Sequence, residues 1–317
     1  MQQRFLGRTG LQVSRLGLGT MTWGRDTDEH EARDQLTSFV GVGGTLVDTA
    51  ASYGDGASEK MLGSLIGDVI DRGDIVLATK AGIGVRRGER VRDASRAALL
   101  NQLDASLLRL GVDHIDLWQV HVWDDSVPFE ETLAALDHAV RSGRVRYIGI
   151  SNYTGWQTAL AHTWQAATPD RAPLASTQVE YSLLNRAMET EILPATETLD
   201  MGILAWSPLG RGVLTGKYRT GTPADSRAAS PHFEKFVEGY LHDRHRQIVE
   251  AVVRAAEGLQ VSPVEVALAW VRDQPGVTSA IVGARTAAQL KGSLSVEQIE
   301  LPRAIARALS DVSEQMV

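Results

Sequence analysis

The sequence predicts an α/β protein, a closed (β/α)8 TIM barrel with an N-terminal β-hairpin plug and an extra C-terminal helix. Eight short apolar segments have the character of β-strands, and helical segments alternate with them, which indicates a parallel sheet. Eight such units in a chain of 317 residues match a closed barrel in number and size. The sequence has no linker rich in Pro, Gly or Ser and no fixed-period repeat, so we predict a single domain over residues 1–317.

The first half of the chain opens with a hairpin, Gln3–Leu6 and Leu11–Ser14, which we expect to plug the N-terminal mouth of the barrel. Strands and helices then alternate in the order Leu16–Gly19, helix Asp28–Val42, Thr45–Asp48, helix Ala57–Ile66, Ile75–Lys80, helix Asp93–Leu110, His114–Val120 and helix Phe129–Ser142. The helix over Asp93–Leu110 is indicated by leucines at helical spacing.

The second half continues the alternation in the order Val145–Ile150, helix Thr154–Gln165, Leu174–Val179, helix Met188–Leu199, Gly202–Trp206, then Ala280–Val282 and helix Thr286–Val296. For the stretch Leu209–Asp243, after the seventh strand, the sequence predicts no regular secondary structure. A loop of this length in a compact domain is usually functional, often as a lid. The tail from Arg303 reads as the final helix.

Composition and charge exclude several classes of protein. The chain is 43% hydrophobic and 22% charged, which excludes a disordered or collagen-like chain. Without Cys it has no disulfide scaffold, thiol nucleophile or thiolate metal ligand, and we predict no metal site. The net charge of −7 argues against a nucleic acid or a membrane as partner. The longest apolar stretches, such as Val266–Val271, are too short to span a bilayer, and Met1–Gly10 has no targeting pattern, so we expect a cytoplasmic location.

Four ionisable residues lie at the ends of three consecutive strands, where active sites of such barrels are found. They are Asp48, Tyr53, Lys80 and His121. Each has a plain structural alternative when taken alone: a capping residue, an interface aromatic, a surface lysine and a structural histidine, respectively. The occurrence of all four together at the ends of adjacent strands is much harder to explain by chance than any one of them alone.

Together the four residues can deliver a proton to a carbonyl oxygen. The usual pKa of a phenol is about 10, and we expect the ammonium of Lys80 to lower that of Tyr53. Asp48 would keep the lysine charged and in place, while His121 would orient the carbonyl or share the proton. No side chain can supply hydride, so a nicotinamide cofactor is the natural source.

The sequence resembles the aldo-keto reductase superfamily over nearly its whole length. The resemblance is carried by RFLGRTGLQVSRLGLGTMTWG, by DTAASYGDGASEKMLG (Asp48–Gly63), by IVLATKAG and by DHIDLWQVHVWD, in the family's order. It implies that Tyr53 is the general acid, that Lys80 lowers its pKa, that Asp48 pairs with the lysine and that His121 orients the carbonyl. It also implies NADPH-dependent reduction of a small-molecule aldehyde or ketone.

The resemblance further implies an extended NADP(H) site across the barrel mouth. Ser151, Asn152 and Gln178 would hold the carboxamide, and Trp206 would stack on the nicotinamide; Trp is common there in the branch that includes potassium-channel β-subunits. The pyrophosphate would lie along the segment AWSPLGRGVLTGKY. The full set of implied cofactor residues is Thr20, Met21, Asp48, Ser151, Asn152, Gln178, Trp206, Ser207, Pro208, Leu209, Gly210, Gly212, Lys217, Arg227, Gly283, Arg285 and Gln289. The alternative for the glycine segment is a turn that binds no ligand.

The adenosine end departs from the family pattern. Arg285 opens the last barrel helix, and with Gln289 it would contact the 2′-phosphate of NADP. Taken alone, without the resemblance, that arginine is better explained as a solvated surface residue. Relatives often carry Glu and Asn where this chain has Gly292 and Ser293, which removes two polar contacts to the adenine.

The substrate pocket is predicted from two tryptophans near the catalytic residues. Trp23 and Trp123 could line the mouth together with Tyr53 and His121, and two large apolar walls favour an aromatic or aliphatic carbonyl. Both could instead be loop-anchoring core residues. The loop Ala81–Asp93 carries four arginines; it could attract an anionic substrate, but a solvated, mobile loop is the more common form of such a charge run.

Three functions are compatible with these residues. The first is an NADPH-dependent carbonyl reductase. The second is an NADP(H)-binding redox-sensing or interaction protein with low turnover. The third is a barrel aldolase with a Schiff base on Lys80. The reductase is favoured because Asp48, Tyr53 and His121 have clear roles in it and because the cofactor motifs have no use in an aldolase.

Overall fold

A computed structural model describes residues 1–86, 88–223, 226, 229 and 234–314. Eight parallel strands close into a barrel, which confirms the predicted fold class. In order around the barrel they are β3 (Leu16–Gly19), β4 (Leu46–Asp48), β5 (Val76–Ala81), β8 (Ile115–Val120), β9 (Val145–Ser151), β10 (Leu174–Glu180), β11 (Gly202–Trp206) and β12 (Val277–Gly283). Because the strands are parallel, all their carboxyl ends lie on one face.

The helices surround this barrel. They are α1 (Glu29–Gly41), α2 (Ala57–Leu65), α3 (Arg96–Leu110), α4 (Phe129–Arg141), α5 (Gly155–Ala166), α6 (Met188–Thr198), α7 (Glu234–Glu238), α8 (Asp243–Leu259), α9 (Pro263–Arg272), α10 (Ala287–Leu294) and α11 (Arg303–Ser313). The predicted extra C-terminal helix is thus present as α11. Within the described residues, no helix combines the length and the apolar character needed to cross a membrane.

The N-terminal hairpin closes the bottom of the barrel, as predicted. It consists of β1 (Gln3–Phe5) and β2 (Gln12–Ser14), paired antiparallel. Leu6 and Val13 are fully buried and pack in one cluster with side chains of the barrel interior, namely Leu46, Ala78, Leu117, Ala175, Leu204 and Ile281. This bottom layer is apolar, so the polar chemistry is confined to the opposite end.

The segment after β11 contains more helix than the sequence analysis assigned. Helices α8 and α9 lie largely where the sequence analysis predicts no regular element, although their signals are present in the sequence. Ser262 and Glu265 form a capping box with Pro263 in the first turn of α9. On α8 the buried positions recur at helical spacing, at Ile248, Val249, Val252, Val253 and Ala256. The predicted cofactor residue Arg227 lies outside the described residues.

The arginine-rich segment after β5 contains two paired strands, where the sequence analysis expected a loop. Its strands are β6 (Ile83–Arg86) and β7 (Glu89–Arg92), paired antiparallel in the register Val85 to Arg90. Directly opposed residues of an antiparallel pair share a face. The hairpin ends where Asp93 N donates to Gly82 O, which ties it to the end of β5.

Candidate active site

Four side chains meet at the carboxyl end of the barrel, and they are the four that the sequence analysis selected. Asp48 is the last residue of β4, Lys80 lies near the end of β5, and His121 follows β8 directly. Tyr53 begins a 3-10 turn after β4. Its ring lies edge-on to that of His121, with centroids 5.9 Å apart.

Lys80 is the centre of this group. It is 1% exposed, and its Nζ donates to Asp48 Oδ2 (2.6 Å), Thr49 O (2.9 Å) and Tyr53 Oη (3.3 Å). An ammonium has three protons and no acceptor, so all of its donors are used. Because the lysine donates to the phenol oxygen, the proton of Tyr53 remains available for another acceptor.

The electrostatics of this pair differ from the prediction in one respect. Burial raises the pKa of Tyr53 above the usual value for a phenol; the Lys80 ammonium pulls it down, but burial, with the Asp48 carboxylate, outweighs it. Lys80 thus acts on the phenol pKa in the predicted direction, but the net shift is upward because burial outweighs the lysine. Burial also acts to lower the pKa of Lys80, but the Asp48 carboxylate overcomes it, so that this pKa is raised. At neutral pH the site holds a protonated phenol beside a charged ammonium.

His121 is neutral at physiological pH. Burial is the main cause that lowers the pKa of its imidazole to about 3, and the cations Lys80 and Arg90 act in the same direction. Its Nδ1 lies 3.5 Å from Ser52 Oγ. A neutral imidazole can donate one hydrogen bond to a carbonyl oxygen, but it holds no imidazolium proton to give. Of the two roles considered from sequence, this electrostatic state favours orientation of the carbonyl.

The depressed pKa of His121 predicts a stability change with pH. Between pH 3 and about 6.5, the unfolded chain binds a proton on this histidine and the native chain does not, so this contribution falls as the pH falls. From pH 7 to pH 5 we expect the wild type to lose about 1–2 kcal/mol more of its unfolding free energy than His121→Gln. Urea unfolding of both proteins at the two pH values measures this; parallel losses would contradict it.

A second layer of polar side chains extends the group around the barrel. Gln178 on β10 donates from Nε2 to Asp48 Oδ1 at 2.9 Å, so both carboxylate oxygens of Asp48 have a donor. Ser151 at the end of β9 donates from Oγ to the backbone oxygen of Gln178 at 2.9 Å. Both side chains are buried. Of the predicted cofactor residues, Gln178 thus contacts the Asp48 carboxylate directly, and Ser151 is linked to it through the backbone of Gln178.

Asn152 connects this layer to the aromatic residue at the end of β11. Its Nδ2 donates to His121 O (2.9 Å) and to Ser151 Oγ (3.0 Å), and its Oδ1 accepts from Trp206 Nε1 at 3.1 Å. Asn152 is exposed and Trp206 is half-buried. The indole of Trp206 is therefore fixed by its N–H at the carboxyl end of β11. A planar ring held in this way can serve as a stacking platform.

The glycine segment after β11 has an unusual backbone. Positive φ angles occur at Ser207 (54°), Gly210 (52°), Arg211 (58°) and Gly212 (92°). Two of these are not glycine, and a left-handed conformation costs such residues about 1–2 kcal/mol each. At Gly210 a Cβ would lie 2.7 Å from Leu184 Cδ1, so a larger residue there would need both a left-handed backbone and a shift of that leucine. Gly210 N and Gly212 N donate within the segment, to Ser207 O and Leu209 O, so an anion can bind only the N–H groups that remain.

The remaining residues of this segment differ in accessibility. Pro208 is buried, Leu209 is half-buried and Lys217 is exposed. A Cβ on Gly212 would lie 3.6 Å from Lys217 Nζ, which places the lysine over the turn. The segment thus presents backbone and one cation to solvent, which suits a phosphate group.

Arg211 is a functional candidate that the sequence analysis missed. Its guanidinium donates to both carboxylate oxygens of Glu180 (2.8 and 2.7 Å) and to Phe236 O (2.6 Å), and it stacks on the Phe236 ring at 3.9 Å. It therefore joins the glycine segment, the end of β10 and α7. No local pattern could have indicated this, because the partners are 25 and 31 residues away along the chain.

Residues predicted for the adenosine end gather around the start of α10. Arg285 N donates to Gln289 Oε1 at 3.0 Å, and Thr286 caps the helix. Glu31 of α1 accepts a hydrogen bond from Ala287 N, so a carboxylate already occupies the first backbone donor of α10. Any anion contact here therefore depends on the Arg285 side chain more than on the helix end. Gly292, one of the two positions at which this chain departs from the family pattern, has open space beside it.

The residues predicted after β3 and β12 border the same mouth. Thr20 is fully buried, and its Oγ1 lies 2.8 Å from Ser58 Oγ and 3.2 Å from Asp48 O. Met21 is half-buried and Gly283 is exposed. The hydroxyl of Thr20 is thus engaged within the protein, and Met21 and Gly283 offer the accessible surface.

The substrate pocket agrees only in part with its prediction. Trp23 has no exposed surface, and its Nε1 donates to Gln35 Oε1 at 3.0 Å, so it anchors the loop after β3 instead of lining the mouth. Trp123 is half-buried beyond His121. It contacts Trp156, an aromatic residue that the sequence analysis did not select, with ring centroids 5.6 Å apart, and Trp156 is 58% exposed. Trp123 and Trp156 therefore form an aromatic pair in the segments that follow β8 and β9.

Comparison with known proteins gives a consistent result. The model of the Aldo/keto reductase family matches residues 15–314. The chain is 37% identical to the uncharacterized oxidoreductase YrpG of Bacillus subtilis, over 98% of this chain and 96% of the relative. It is 34% identical to a probable voltage-gated potassium channel subunit beta of Arabidopsis thaliana, over 94% and 92%. It is 32% identical to the L-glyceraldehyde 3-phosphate reductase of Escherichia coli K12, over 92% and 86%.

Proposed function

This chain belongs to the aldo/keto reductase family, whose chemistry is the oxidoreduction of carbonyls, and we propose that it reduces aldehydes or ketones to alcohols with hydride from NADPH and a proton from Tyr53. The observation that carries this proposal is the hydrogen bond from the fully engaged ammonium of Lys80 to the oxygen of Tyr53. That bond leaves the phenol proton free for a substrate and places a positive charge where a phenolate would form.

The residues at the mouth fit a nicotinamide cofactor. Asn152, Ser151 and Gln178 supply amide and hydroxyl groups beside the catalytic carboxylate, and Trp206 offers a fixed aromatic platform. The left-handed turns over residues 207–212 suit a pyrophosphate. When bound, the nicotinamide supplies the hydride that no side chain of the protein can supply.

The proton-transfer half of the reaction follows from the site's own residues. Neutral His121 donates a hydrogen bond to the carbonyl oxygen and orients it toward Tyr53. Tyr53 then gives up its proton, and Lys80 stabilises the resulting phenolate through the contact that it already makes. Asp48 keeps the lysine charged through a 2.6 Å ion pair. Each residue thus has one role, and the proton begins at Tyr53 Oη.

The choice of NADPH depends on Arg285. We expect wild-type protein to consume NADPH with a simple aldehyde, and Arg285→Ala to weaken NADPH binding about 10- to 100-fold while weakening NADH binding far less. The reason is that only NADPH carries the extra phosphate, and a charged hydrogen bond contributes about 1.5–3 kcal/mol. Loss of the cofactor's reduced-form absorbance gives turnover, and quenching of tryptophan fluorescence gives binding.

The same measurements test the alternatives. Equal loss for both cofactors would refute the phosphate role of Arg285. Tight NADPH binding without turnover of any aldehyde would favour a cofactor-sensing protein, a candidate that gains support from the similarity to a probable channel subunit. The aldolase is disfavoured physically, since a Schiff base needs a neutral amine and Asp48 holds Lys80 in the charged state.

A further inference from the structure

The arginine-rich hairpin beside the active site has two faces of different character. Gly84 faces α3, because a Cβ on it would lie 3.7 Å from Gln102 Nε2. The register pairs Arg86 with Glu89, and these two share that face. Val85 and Arg90 are paired and lie on the opposite face. The hairpin therefore directs one arginine toward α3, with a carboxylate opposite, and another away from it.

Arg90 reaches from this second face to the catalytic turn. Its Nη2 donates to Ser52 O at 2.7 Å, and Ser52 directly precedes Tyr53. Ser52 also approaches His121 through its hydroxyl. The guanidinium is thus held next to both groups that would contact the carbonyl oxygen. Its charge is felt by both of them, since it contributes to lowering the pKa of His121 and opposes the rise in that of Tyr53.

The charge of Arg90 is not neutralised by a carboxylate. In the ranges that the structure describes, Arg90 forms no ion pair, and the contact with Ser52 O uses one of its five N–H donors. Lys80, the other cation of the site, already donates its three hydrogen bonds to groups of the protein. Arg90 is exposed at the mouth of a protein whose net charge is −7. A local positive charge here attracts anions that the rest of the surface repels.

We propose that Arg90 binds an anionic group, a carboxylate or a phosphate, carried by the carbonyl substrate a few bonds from the reacting carbon. This inference rests on the proposed reductase function and specifies its substrate class. The carbonyl oxygen lies against Tyr53 and His121, and the anion meets the guanidinium in a bidentate contact that lysine cannot reproduce. Arg90 is then a specificity-determining residue rather than a proton-transfer group.

The test compares matched substrates that differ only in the anion. Succinic semialdehyde and butanal share four carbons and differ by a carboxylate; glyceraldehyde 3-phosphate and glyceraldehyde differ by a phosphate. For each pair, the ratio of kcat/KM for the anionic over the neutral substrate is measured at saturating NADPH. A variant that disturbs the catalytic turn in general changes kcat/KM for both substrates, so this effect cancels in the ratio.

In Arg90→Gln we expect this ratio to fall about tenfold or more for at least one pair, mainly through KM of the anionic substrate. Arg90→Lys should restore it in part, because charge returns without the planar fork. Arg86→Gln removes the same charge from the other face of the same hairpin, and we expect its ratio to equal that of the wild type. The pair that responds identifies the anion as carboxylate or phosphate. Added salt should lower the wild-type ratio more than that of Arg90→Gln.

Two results would overturn the inference. One is a wild type that reduces the neutral aldehydes at least as well as their anionic partners. The other is an equal fall of the ratio in Arg90→Gln and Arg86→Gln, which would mean that only the overall charge matters. In both cases the reductase function stands, because the neutral aldehydes are reduced. A wild type that reduces no aldehyde of either pair would instead contradict the proposed function itself.

Discussion

Tyr53→Phe is expected to lower kcat by about 10²- to 10⁴-fold while leaving NADPH binding nearly intact, because the variant lacks only the proton donor. The hydroxyl receives a hydrogen bond from Lys80 at 3.3 Å, and the ring lies edge-on to His121. A phenyl ring keeps that packing. Steady-state turnover with an aldehyde gives kcat, and quenching of tryptophan fluorescence gives the affinity for the cofactor.

Tyr147→Phe is the matched control for this prediction. Tyr147 lies on β9, and its hydroxyl is 3.9 Å from the position of a Cβ on Gly10, near the hairpin turn at the opposite end of the barrel. The same atom is removed, but far from the carboxyl ends of the strands. We expect turnover close to that of the wild type. If the two variants lost turnover equally, or if Tyr53→Phe kept full turnover, Tyr53 could not be the acid.

The position of the four residues Asp48, Tyr53, Lys80 and His121 could be predicted from the sequence because it follows from the topology of the barrel. Once the strands are recognised as parallel, residues at their carboxyl ends must share one face, and Asp48, Lys80 and His121 are such residues. Tyr53 follows from its place in the adjoining loop. Gln178 and Trp206 were implied by the family resemblance instead, and the structure brings both to this face. The closed parallel barrel thus predicts which strand-end residues are neighbours, without any knowledge of how side chains pack around those residues.

The net pKa of Tyr53 could not be predicted in this way. Its direction depends on a competition between the Lys80 charge, which sequence adjacency suggests, and burial, which the whole fold determines. The sequence could not decide between the two alternatives for Trp23, a pocket wall or a loop anchor, since its partner Gln35 belongs to the following helix and gives no local signal. Helices α8 and α9 are a different case: their capping and periodicity were present in the sequence and were passed over.

The contacts of the two additional arginines are likewise tertiary. Arg211 contacts Glu180 and Phe236 only because β10 and α7, which carry these residues, lie next to the glycine segment in the fold. Arg90 meets Ser52 only because the arginine-rich segment forms a hairpin with a defined register. Composition identified a charge run, but the face to which each charge points is a property of strand pairing. This is why the anion-binding inference needed the structure.

Lys80→Met is the second substitution for which we expect a large effect, on both turnover and stability. Methionine has a similar length but no charge, so Asp48 would be left in the protein interior with Gln178 as its remaining side-chain donor. Breaking a buried ion pair in this way costs about 3–5 kcal/mol. We expect a loss of that order in the unfolding free energy, measured with urea. Turnover should fall by about 10²-fold or more, because no cation stabilises the phenolate.

The double variant Asp48→Asn with Lys80→Met separates these two effects. It removes both charges, so no unpaired carboxylate is buried, and replacing a whole ion pair by neutral groups is often close to neutral for stability. We therefore expect most of the lost unfolding free energy to return while turnover stays low. If turnover returned together with stability, the lysine would serve only to hold the fold. If stability did not return, the damage of the single variant would come from the missing contacts of Nζ with Thr49 O and Tyr53, and not from the unpaired charge of Asp48.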